Sequence, residues 1–310
     1  MRIPVWFQIL VSIAVLGIVL WHVPVEKLLV AAQSADLIWL LAALATTLAM
    51  LFVRHVKWYR LLRAAGLPVA PKDSLRSLLC GFALSVPTPG RLGEFGRCLF
   101  LPEGMRSQVF QLNILERVLD AWAIFTFAVA SLTVIQLRPR GAFALAVWLA
   151  VLPVFLGMPG LLSSLSERRI WRGNLGVHLR EGSRALAGIR TAPFAGWSLL
   201  TTSLDLLIFY FLLQAFHHTV FPVALTVFPW MIIAGSLPIA VGGIGPREGV
   251  AAFLLARHAV PAAAGTDAAL FVFILSAVLP AICGALWIAF RRFRGSRVTG
   301  TQLESLAPEA

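Results

Sequence analysis

The chain has 310 residues, of which 59% are apolar and 13% are charged, with a net charge of +12 and a mean hydropathy of +0.86. Soluble domains carry roughly 25% charged residues, so this composition excludes an ordinary soluble domain, and its apolar content excludes a disordered chain. Apolar blocks of about 20 residues alternate with basic loops, which is typical of a polytopic helical membrane protein. Because topology and anionic lipid headgroups explain loop cations, we expect no nucleic-acid partner.

Six apolar segments are long enough to cross a bilayer core of about 30 Å. In chain order they are Pro4–Trp21, Ala35–Val53, Arg117–Leu137, Phe143–Leu161, Pro193–Phe216 and Thr266–Phe290. The sequence predicts an all-α fold in which residues 1–298 form one transmembrane domain and residues 299–310 form a cytoplasmic tail.

Two further apolar stretches are interrupted by proline and glycine. The first, at about residues 78–101, contains Pro87-Thr-Pro-Gly-Arg-Leu-Gly-Glu94; the second, at about 222–257, contains Gly242-Gly-Ile-Gly-Pro-Arg-Glu-Gly249. Proline removes a backbone donor, and a broken helix inside a membrane is tolerated only where protein or a watery cavity satisfies its backbone. Each stretch therefore predicts a re-entrant helical hairpin.

The two interruptions share a pattern, because each has a Ser-x-Pro followed by Gly-x-x-Gly and then charge. The basic segments at 54–76 and 167–190, and the basic tail, favour a cytoplasmic location for both termini by the positive-inside bias. The hairpins would then enter the membrane from opposite sides, as the halves of an inverted repeat do in many transporters.

The charged residues of the hairpins form the candidate binding site. A broken helix exposes N–H groups at the start of its second half, and a guanidinium beside them can hold phosphate through paired hydrogen bonds. We expect Arg91 and Arg247 to bind phosphate, with Glu94, Glu248, Asp120 and Asp205 pairing with them in the empty state. A cluster of ion pairs that only anchors a helix end is the alternative for the first hairpin. The predicted substrate-binding residues are Arg91, Glu94, Arg97, Gly242, Gly243, Gly245, Arg247 and Glu248.

Four more charged residues lie within predicted spans. Glu116 and Asp120 share one helical face beside Arg117, and Asp205 lies near the middle of the fifth span. A carboxylate at that depth costs at least about 2.5 kcal/mol without a partner. We expect Glu116, Arg117 and Asp120 to be either structural partners of the hairpin arginines or substrate ligands. For Asp205 we expect either a structural role or coupling to protons.

Three motifs carry a resemblance to a known family: Pro89-Gly-Arg-Leu-Gly-Glu-Phe-Gly-Arg97, Glu116-Arg-Val-Leu-Asp120 and Leu237-Pro-Ile-Ala-Val-Gly-Gly-Ile-Gly-Pro-Arg-Glu-Gly249. In this order they resemble the flippase-like family, also called the lysylphosphatidylglycerol synthase transmembrane-region family. The resemblance covers nearly the whole chain and implies a bacterial inner-membrane protein that moves lipids between leaflets. Since the sequence ends at Ala310, we expect no soluble aminoacyl-transferase domain and no lipid aminoacylation by this chain alone.

We therefore expect a lipid flippase, not an enzyme, whose partner is a membrane lipid: an anionic or modified phospholipid, a hopanoid or a lipid-linked precursor. The sequence has no P-loop and no Cys-x-x-Cys, and it predicts no cofactor and no metal. Two alternatives stay open: a lipid-modifying enzyme with Glu94 as general base, and a non-catalytic partner of a lipid-biosynthetic enzyme. The energy source, the direction of transport and the oligomeric state, a homo-oligomer included, are also open.

Overall fold

The structure is a computed structural model that describes residues 33, 35–135, 147–148, 157, 186, 188–237 and 245–289. Within these ranges the regular elements are helices, so the prediction of an all-α fold is confirmed there. The predicted first span lies outside the described residues, as do nearly all of the fourth span, Gly242, Gly243 and the tail at 299–310.

Seven α-helices and two 3-10 helices make up the described part of the chain. They are α1 (Leu37–Ala64), α2 (Pro71–Ser85), a 3-10 helix (Leu92–Phe100), a 3-10 turn (Glu103–Met105), α3 (Arg106–Ile135), α4 (Thr191–Phe216), α5 (Phe221–Ser236), α6 (Pro246–Ala256) and α7. The last begins as Ala262–Phe273, passes through a π-helical turn at Ile274–Val278 and is described as far as Ala289.

Local sequence signals set the starts of these helices. The Asp36 side chain accepts a hydrogen bond from the Ile38 N–H at 2.9 Å, which caps α1. Pro71 and Pro246 occupy the first positions of α2 and α6, where a missing N–H removes no intrahelical bond.

Three described helices are long and apolar enough to cross a membrane: α1, α4 and α7. The last two correspond to the predicted spans Pro193–Phe216 and Thr266–Phe290. Helix α3 begins at Arg106, ahead of the predicted start at Arg117, and its 30 residues extend about 45 Å at 1.5 Å per residue. The described residues therefore contain several helices of membrane-spanning length, while a total of six spans stays a prediction.

The prediction of a basic loop over residues 54–76 is wrong. Helix α1 continues to Ala64, and its last turns bury Lys57, Trp58 and Leu61 on one face. The physical reason is periodicity, since Met50, Lys57, Trp58 and Leu61 recur at helical spacing and pack against other helices. Because Arg54 and Lys57 point into the protein, they do not contribute loop charge, and the orientation of the termini stays a prediction.

Both interrupted stretches fold as antiparallel hairpins. In the first hairpin (α2 and the 3-10 helix), Gly93 packs on the Leu84 carbonyl and the Ser77 hydroxyl donates to the Arg97 carbonyl at 3.0 Å. In the second hairpin (α5 and α6), the Arg247 side chain lies against Gly235 at the tip, and Thr226 and His258 approach to 3.4 Å near the open end. Re-entry of either hairpin into the membrane stays a prediction.

Among the described residues, buried apolar side chains form two large cores, one around each hairpin, and a small third cluster of Cys80, Ala83 and Ile288. The first core includes Trp58, Phe82, Leu112, Leu119, Phe194 and Ala277. The second core includes Met50, Leu206, Phe209, Phe228, Leu255 and Val272. Antiparallel helices α1 and α4 pass through both cores, and charged residues occupy the stretch of each helix between them. The fold thus gathers its buried charges where the two cores meet.

The packing of α7 on the first hairpin can be tested by a substitution at Gly284. A Cβ at Gly284 would overlap the backbone carbonyl of Leu79 in α2. We expect Gly284→Ala to destabilise the protein by about 1–3 kcal/mol, as overpacking does, and to lower its thermal unfolding midpoint in detergent. The matched control is Gly196→Ala on the exposed face of α4, where an added Cβ meets nothing within 4 Å. Equal midpoints for the two variants would contradict this packing.

Candidate functional site

The tip of the first hairpin holds Arg91 in an unusual backbone conformation. Gly90 and Arg91 are both left-handed, with φ of 59° and 60°, and the Thr88 hydroxyl accepts a hydrogen bond from the Gly93 N–H at 2.7 Å. A left-handed residue that is not glycine costs roughly 1 kcal/mol, and such residues concentrate at functional sites. This turn sets Arg91 apart from the ion pairs of the following 3-10 helix, since its Nε is 4.0 Å from Glu94 Oε1.

Arg97, in contrast, is held inside the protein by two carboxylates. Its guanidinium contacts Glu94 at 3.2 Å and Glu116 at 2.5 Å, and it stacks over the Trp58 ring at 5.2 Å. Its side chain also lies against Gly81 of α2, where a Cβ would displace it. Arg97 is therefore a link that joins the 3-10 helix to α1, α2 and α3.

A second set of ion pairs ties α1 to α3 and α4. The Lys57 ammonium is 2.5 Å from Asp120 and 3.4 Å from Glu116, and its side chain is only 1% exposed. The Ser198 hydroxyl of α4 donates to Asp120 at 2.8 Å. Arg117 bridges this set to the first hairpin, with contacts of 2.9 Å to Glu94 and 3.1 Å to Asp120.

A third pair joins the two long helices that cross both cores. Arg54 of α1 donates to Asp205 of α4 at 2.6 Å, and the two side chains are 16% and 15% exposed. Arg54 also stacks against Phe82 of the first hairpin at 5.9 Å. Arg54 is therefore the ion-pair partner that Asp205, near the middle of the fifth predicted span, is expected to have.

The second hairpin brings Arg247 into the protein without a carboxylate partner. Gly245, with φ of +95°, allows the turn into α6, and the Glu248 carboxylate accepts the Gly245 N–H at 2.6 Å. Arg247 is 4% exposed, lies within about 3 Å of where a Gly235 Cβ would be, and stacks over Phe273 at 5.2 Å. It forms no ion pair with a carboxylate of the described residues, and its Nε has no hydrogen-bond partner among them.

Arg91 of the first hairpin and Arg247 of the second interact electrostatically at longer range. Both also interact at longer range with Asp205. We use the term charged cluster for the side chains that are connected by these ion pairs and longer-range electrostatic interactions. Its members are Arg54, Lys57, Arg91, Glu94, Arg97, Glu116, Arg117, Asp120, Asp205, Arg247 and Glu248.

The expected pairing of Arg91 and Arg247 with four carboxylates is wrong for three of them. Asp120 and Asp205 pair with cations of α1 and α3, and Glu248 caps α6. Because Glu248 accepts the N–H of Gly245, the N-cap residue before α6, that helix start is already partly satisfied. Glu94 alone lies beside Arg91, and it directs its other oxygen to Arg97 and Arg117.

The sequence analysis missed Arg54 and Lys57, which complete the ion pairs. Both were assigned to a loop because a charge normally ends an apolar span. Helical spacing could have shown that both side chains face the protein interior. Each member of one set lies three or four residues from another member, which places them all on one side of α1: Met50, Arg54, Lys57, Trp58 and Leu61.

Comparison with known proteins identifies the family. A family model described as the lysylphosphatidylglycerol synthase TM region matches residues 5–284. The chain belongs to this family. The chain is also similar to a UPF0104 membrane protein of Pyrococcus horikoshii, with 23% identity over 163 residues that are 51% of this chain and 46% of the relative. The match thus spans about half of that relative's length.

Family membership confirms the resemblance seen in the three sequence motifs. Together with the apolar helices α1, α4 and α7, it makes this chain a multi-pass membrane protein of a lipid-related family. The charged cluster includes residues from all three motifs and from helices α1 and α4, which lie outside them.

Lys57 tests whether the cluster contributes to stability. Replacing it by methionine keeps most of the volume but leaves Glu116 and Asp120 with one cation fewer. Breaking a buried ion pair costs about 3–5 kcal/mol, so we expect Lys57→Met to lower the unfolding midpoint sharply. Lys72→Met, at the exposed start of α2, is the matched control and should change it little. Equal effects of the two substitutions would contradict a buried role for Lys57.

Proposed function

We propose that this protein moves an anionic phospholipid between membrane leaflets, and that Arg91 and Arg247 together bind the lipid phosphate. The observation that carries the proposal is that an arginine of each hairpin lacks a close carboxylate among the described residues: Arg91 Nε is 4.0 Å from Glu94 Oε1, and Arg247 is buried without an ion pair. The acyl chains would stay in the bilayer while the headgroup passes between the hairpin tips.

Electrostatic cost supports an anionic ligand. Arg247 is buried and forms no ion pair with a carboxylate of the described residues, and a buried guanidinium without a partner is strongly disfavoured. A phosphate placed between Arg91 and Arg247 would compensate both through charge-assisted hydrogen bonds. Arg97 offers no such capacity because Glu94 and Glu116 already hold it, so its role here is to position the first hairpin.

The shape of the two hairpins supports alternating access. In each hairpin an arginine packs on a glycine of the preceding helix: Arg97 on Gly81 and Arg247 on Gly235. This likeness favours an inverted repeat whose two interrupted helices enter from opposite faces of a bacterial inner membrane, with both termini in the cytoplasm. Rocking of one hairpin against the other would expose the phosphate site to each leaflet in turn.

The contacts of Glu94 favour transport over lipid modification. A general base must take up a proton from substrate, whereas three cations surround the Glu94 carboxylate and disfavour its protonation: Arg97 and Arg117 at 3.2 and 2.9 Å from Oε2, and Arg91 at 4.0 Å from Oε1. Transport by the purified chain in liposomes would also argue against a role confined to holding a biosynthetic enzyme at the membrane.

Arg247→Gln tests the function directly. We expect movement of a fluorescent phosphatidylglycerol across reconstituted liposomes to fall to the protein-free level, because one of the two phosphate ligands is lost. Affinity for the lipid should drop by at least about tenfold. Arg257→Gln is the matched control, since Arg257 is exposed at the end of the same helix. Undiminished transport by a folded Arg247→Gln protein would contradict the proposal.

Gly235→Ala provides a second route that leaves both arginines in the chain. The added Cβ would lie 2.9 Å from Arg247 Nε, so the flexible guanidinium must move away from its present position. We expect reduced transport with little change in unfolding midpoint. Gly249→Ala, where nothing lies within 4 Å, should leave transport unchanged.

A further inference from the structure

The described helices form two copies of one arrangement at a constant spacing along the chain. Arg54 and Asp205 lie 151 positions apart, and the same interval separates Ser85 from Ser236, which begin the two Ser-x-Pro patterns. When α1, α2 and α3 are moved along the chain by this interval, they overlap α4, α5 and α7 over most of their lengths. We call α1 to α3 the first unit and α4 to α7 the second unit, and each consists of a long helix, a hairpin and another long helix.

Contacts between the two units are repeated as well. Gly284 of α7 packs on the Leu79 carbonyl of α2, and Trp230 of α5 donates to the Ser131 hydroxyl of α3 at 3.2 Å. Leu79 and Trp230 are equivalent under the common interval, and Gly284 is equivalent to a residue within one helical turn of Ser131. The first helix of each hairpin therefore packs on the last helix of the other unit.

The ion pair between Arg54 and Asp205 marks the centre of this arrangement. Helices α1 and α4 run antiparallel, since the Asp36 N–H before α1 donates to the Ala215 carbonyl at the end of α4 at 2.9 Å. Two equivalent residues contact each other where a two-fold axis passes between them, and Arg54 contacts Asp205 at 2.6 Å. A pseudo-two-fold axis across α1 and α4 therefore passes through this pair, as it does between the halves of an inverted repeat.

The charges of the first unit do not follow this symmetry, and they attach the first hairpin firmly to α3. Arg97 contacts Glu116 at 2.5 Å, and Glu94 contacts Arg117 at 2.9 Å. The Asn113 side chain of α3 also donates to the Glu94 carbonyl at 2.7 Å. Movement of this hairpin away from α3 would separate two buried ion pairs, which is strongly unfavourable.

The second hairpin is held by apolar packing. Its charged residues in α5 and α6 are Arg247 and Glu248, and neither forms an ion pair with another helix in the described part of the chain. Buried Phe228 and Leu255 place both helices of this hairpin in the second core. Because apolar contacts are non-directional, this hairpin can exchange one set of contacts for another at a lower cost than the first hairpin can.

The helices of the second unit also contain interruptions that the first unit lacks at equivalent places. Pro229 lies inside α5, and the π-helical turn Ile274–Val278 lies inside α7, whereas α2 has leucine and α3 has a regular α-helix there. Gly265 packs the first half of α7 on α6, and Gly284 packs its second half on α2. Because helices bend at prolines and π-turns, the half of α7 that contacts the second hairpin can move separately from the half that contacts the first.

We infer that the second hairpin, α5 with α6, is the moving element of the protein, while the first hairpin stays fixed to α1, α3 and α4. The pair at the pseudo-two-fold axis belongs to the fixed frame. Arg247 then travels with the moving hairpin and Arg91 remains in place. This inference rests on the proposed function, because it names the hairpin whose movement opens the site to each leaflet.

The motion is measured directly by the distances between spin labels. Two nearly equivalent label pairs at exposed positions each join a hairpin to the long helix of the other unit: Phe253→Cys with Leu48→Cys, and Leu99→Cys with Leu200→Cys. The full chain carries alanine at its three native cysteines, Cys80, Cys98 and Cys283. In nanodiscs of phosphatidylcholine and phosphatidylglycerol, we expect two distance populations for the pair on the second hairpin and one narrow population for the pair on the first.

Reversible tethers test whether that motion is needed for transport. Ser131→Cys with Trp230→Cys allows a short bifunctional thiol reagent to tie the second hairpin to α3. Native Cys80 with Ile288→Cys ties the first hairpin to α7, and Cys80 is equivalent to the position after Trp230, so both tethers act at the same depth. We expect the first reagent-linked protein to lose lipid movement in liposomes and to regain it on reduction, and the second to keep it.

Each outcome decides the inference. Inhibition by both tethers, by neither, or by the tether on the first hairpin alone would overturn it, as would single distance populations for both label pairs. Failure of the unmodified chain to move any phospholipid would contradict the proposed function instead. The label distances require no transport, so they still decide which hairpin moves in that case, and they also decide it where the Trp230 variant does not fold.

Discussion

Compensation of buried charge is the constraint on which this structure depends. Helices that cross a membrane are apolar by necessity, and each charge they carry inside the protein needs a partner of opposite sign. Here the partners come from different helices: Arg54 of α1 meets Asp205 of α4, and Lys57 of α1 meets Asp120 of α3. The ion pairs therefore fix the positions of the long helices relative to one another, between two apolar cores that could otherwise slide.

Because the other buried charges have close partners, the incomplete charge compensation of Arg91 and Arg247 points to a functional role. The protein satisfies Arg97 with two carboxylates and a tryptophan face, yet it leaves a second arginine of the same hairpin 4.0 Å from its nearest carboxylate. The same contrast separates Glu248, which caps its helix, from Arg247, which lies against an aromatic ring and a glycine and forms no ion pair with a carboxylate of the described residues. A framework of close ion pairs that leaves Arg91 and Arg247 without a close carboxylate suits reversible binding of an anion better than it suits stability alone.

Sequence reasoning predicted the parts of this arrangement that depend on local chemistry. Proline and glycine break helices wherever they occur in them, so both hairpins were found near their observed positions, and Arg91 and Arg247 could be assigned to their tips. Partners across long separations were not predictable, because Arg54 and Asp205 are 151 positions apart and nothing local relates them. The sequence also could not predict that Arg97 forms close ion pairs while Arg91 does not. That difference arises from the left-handed turn at Arg91 and from the packing of Arg97 on Gly81.

A double-mutant cycle on Arg91 and Arg247 tests the central claim most directly, namely that the two arginines share one anion. Phosphatidylglycerol affinity would be measured for the unmodified protein, Arg91→Gln, Arg247→Gln and the double variant, with unfolding midpoints recorded for each. If one phosphate bridges both side chains, the losses are strongly non-additive, and the double variant binds little more weakly than either single variant. Additive losses in folded proteins would mean that the arginines act independently, and would contradict a shared site between the hairpins.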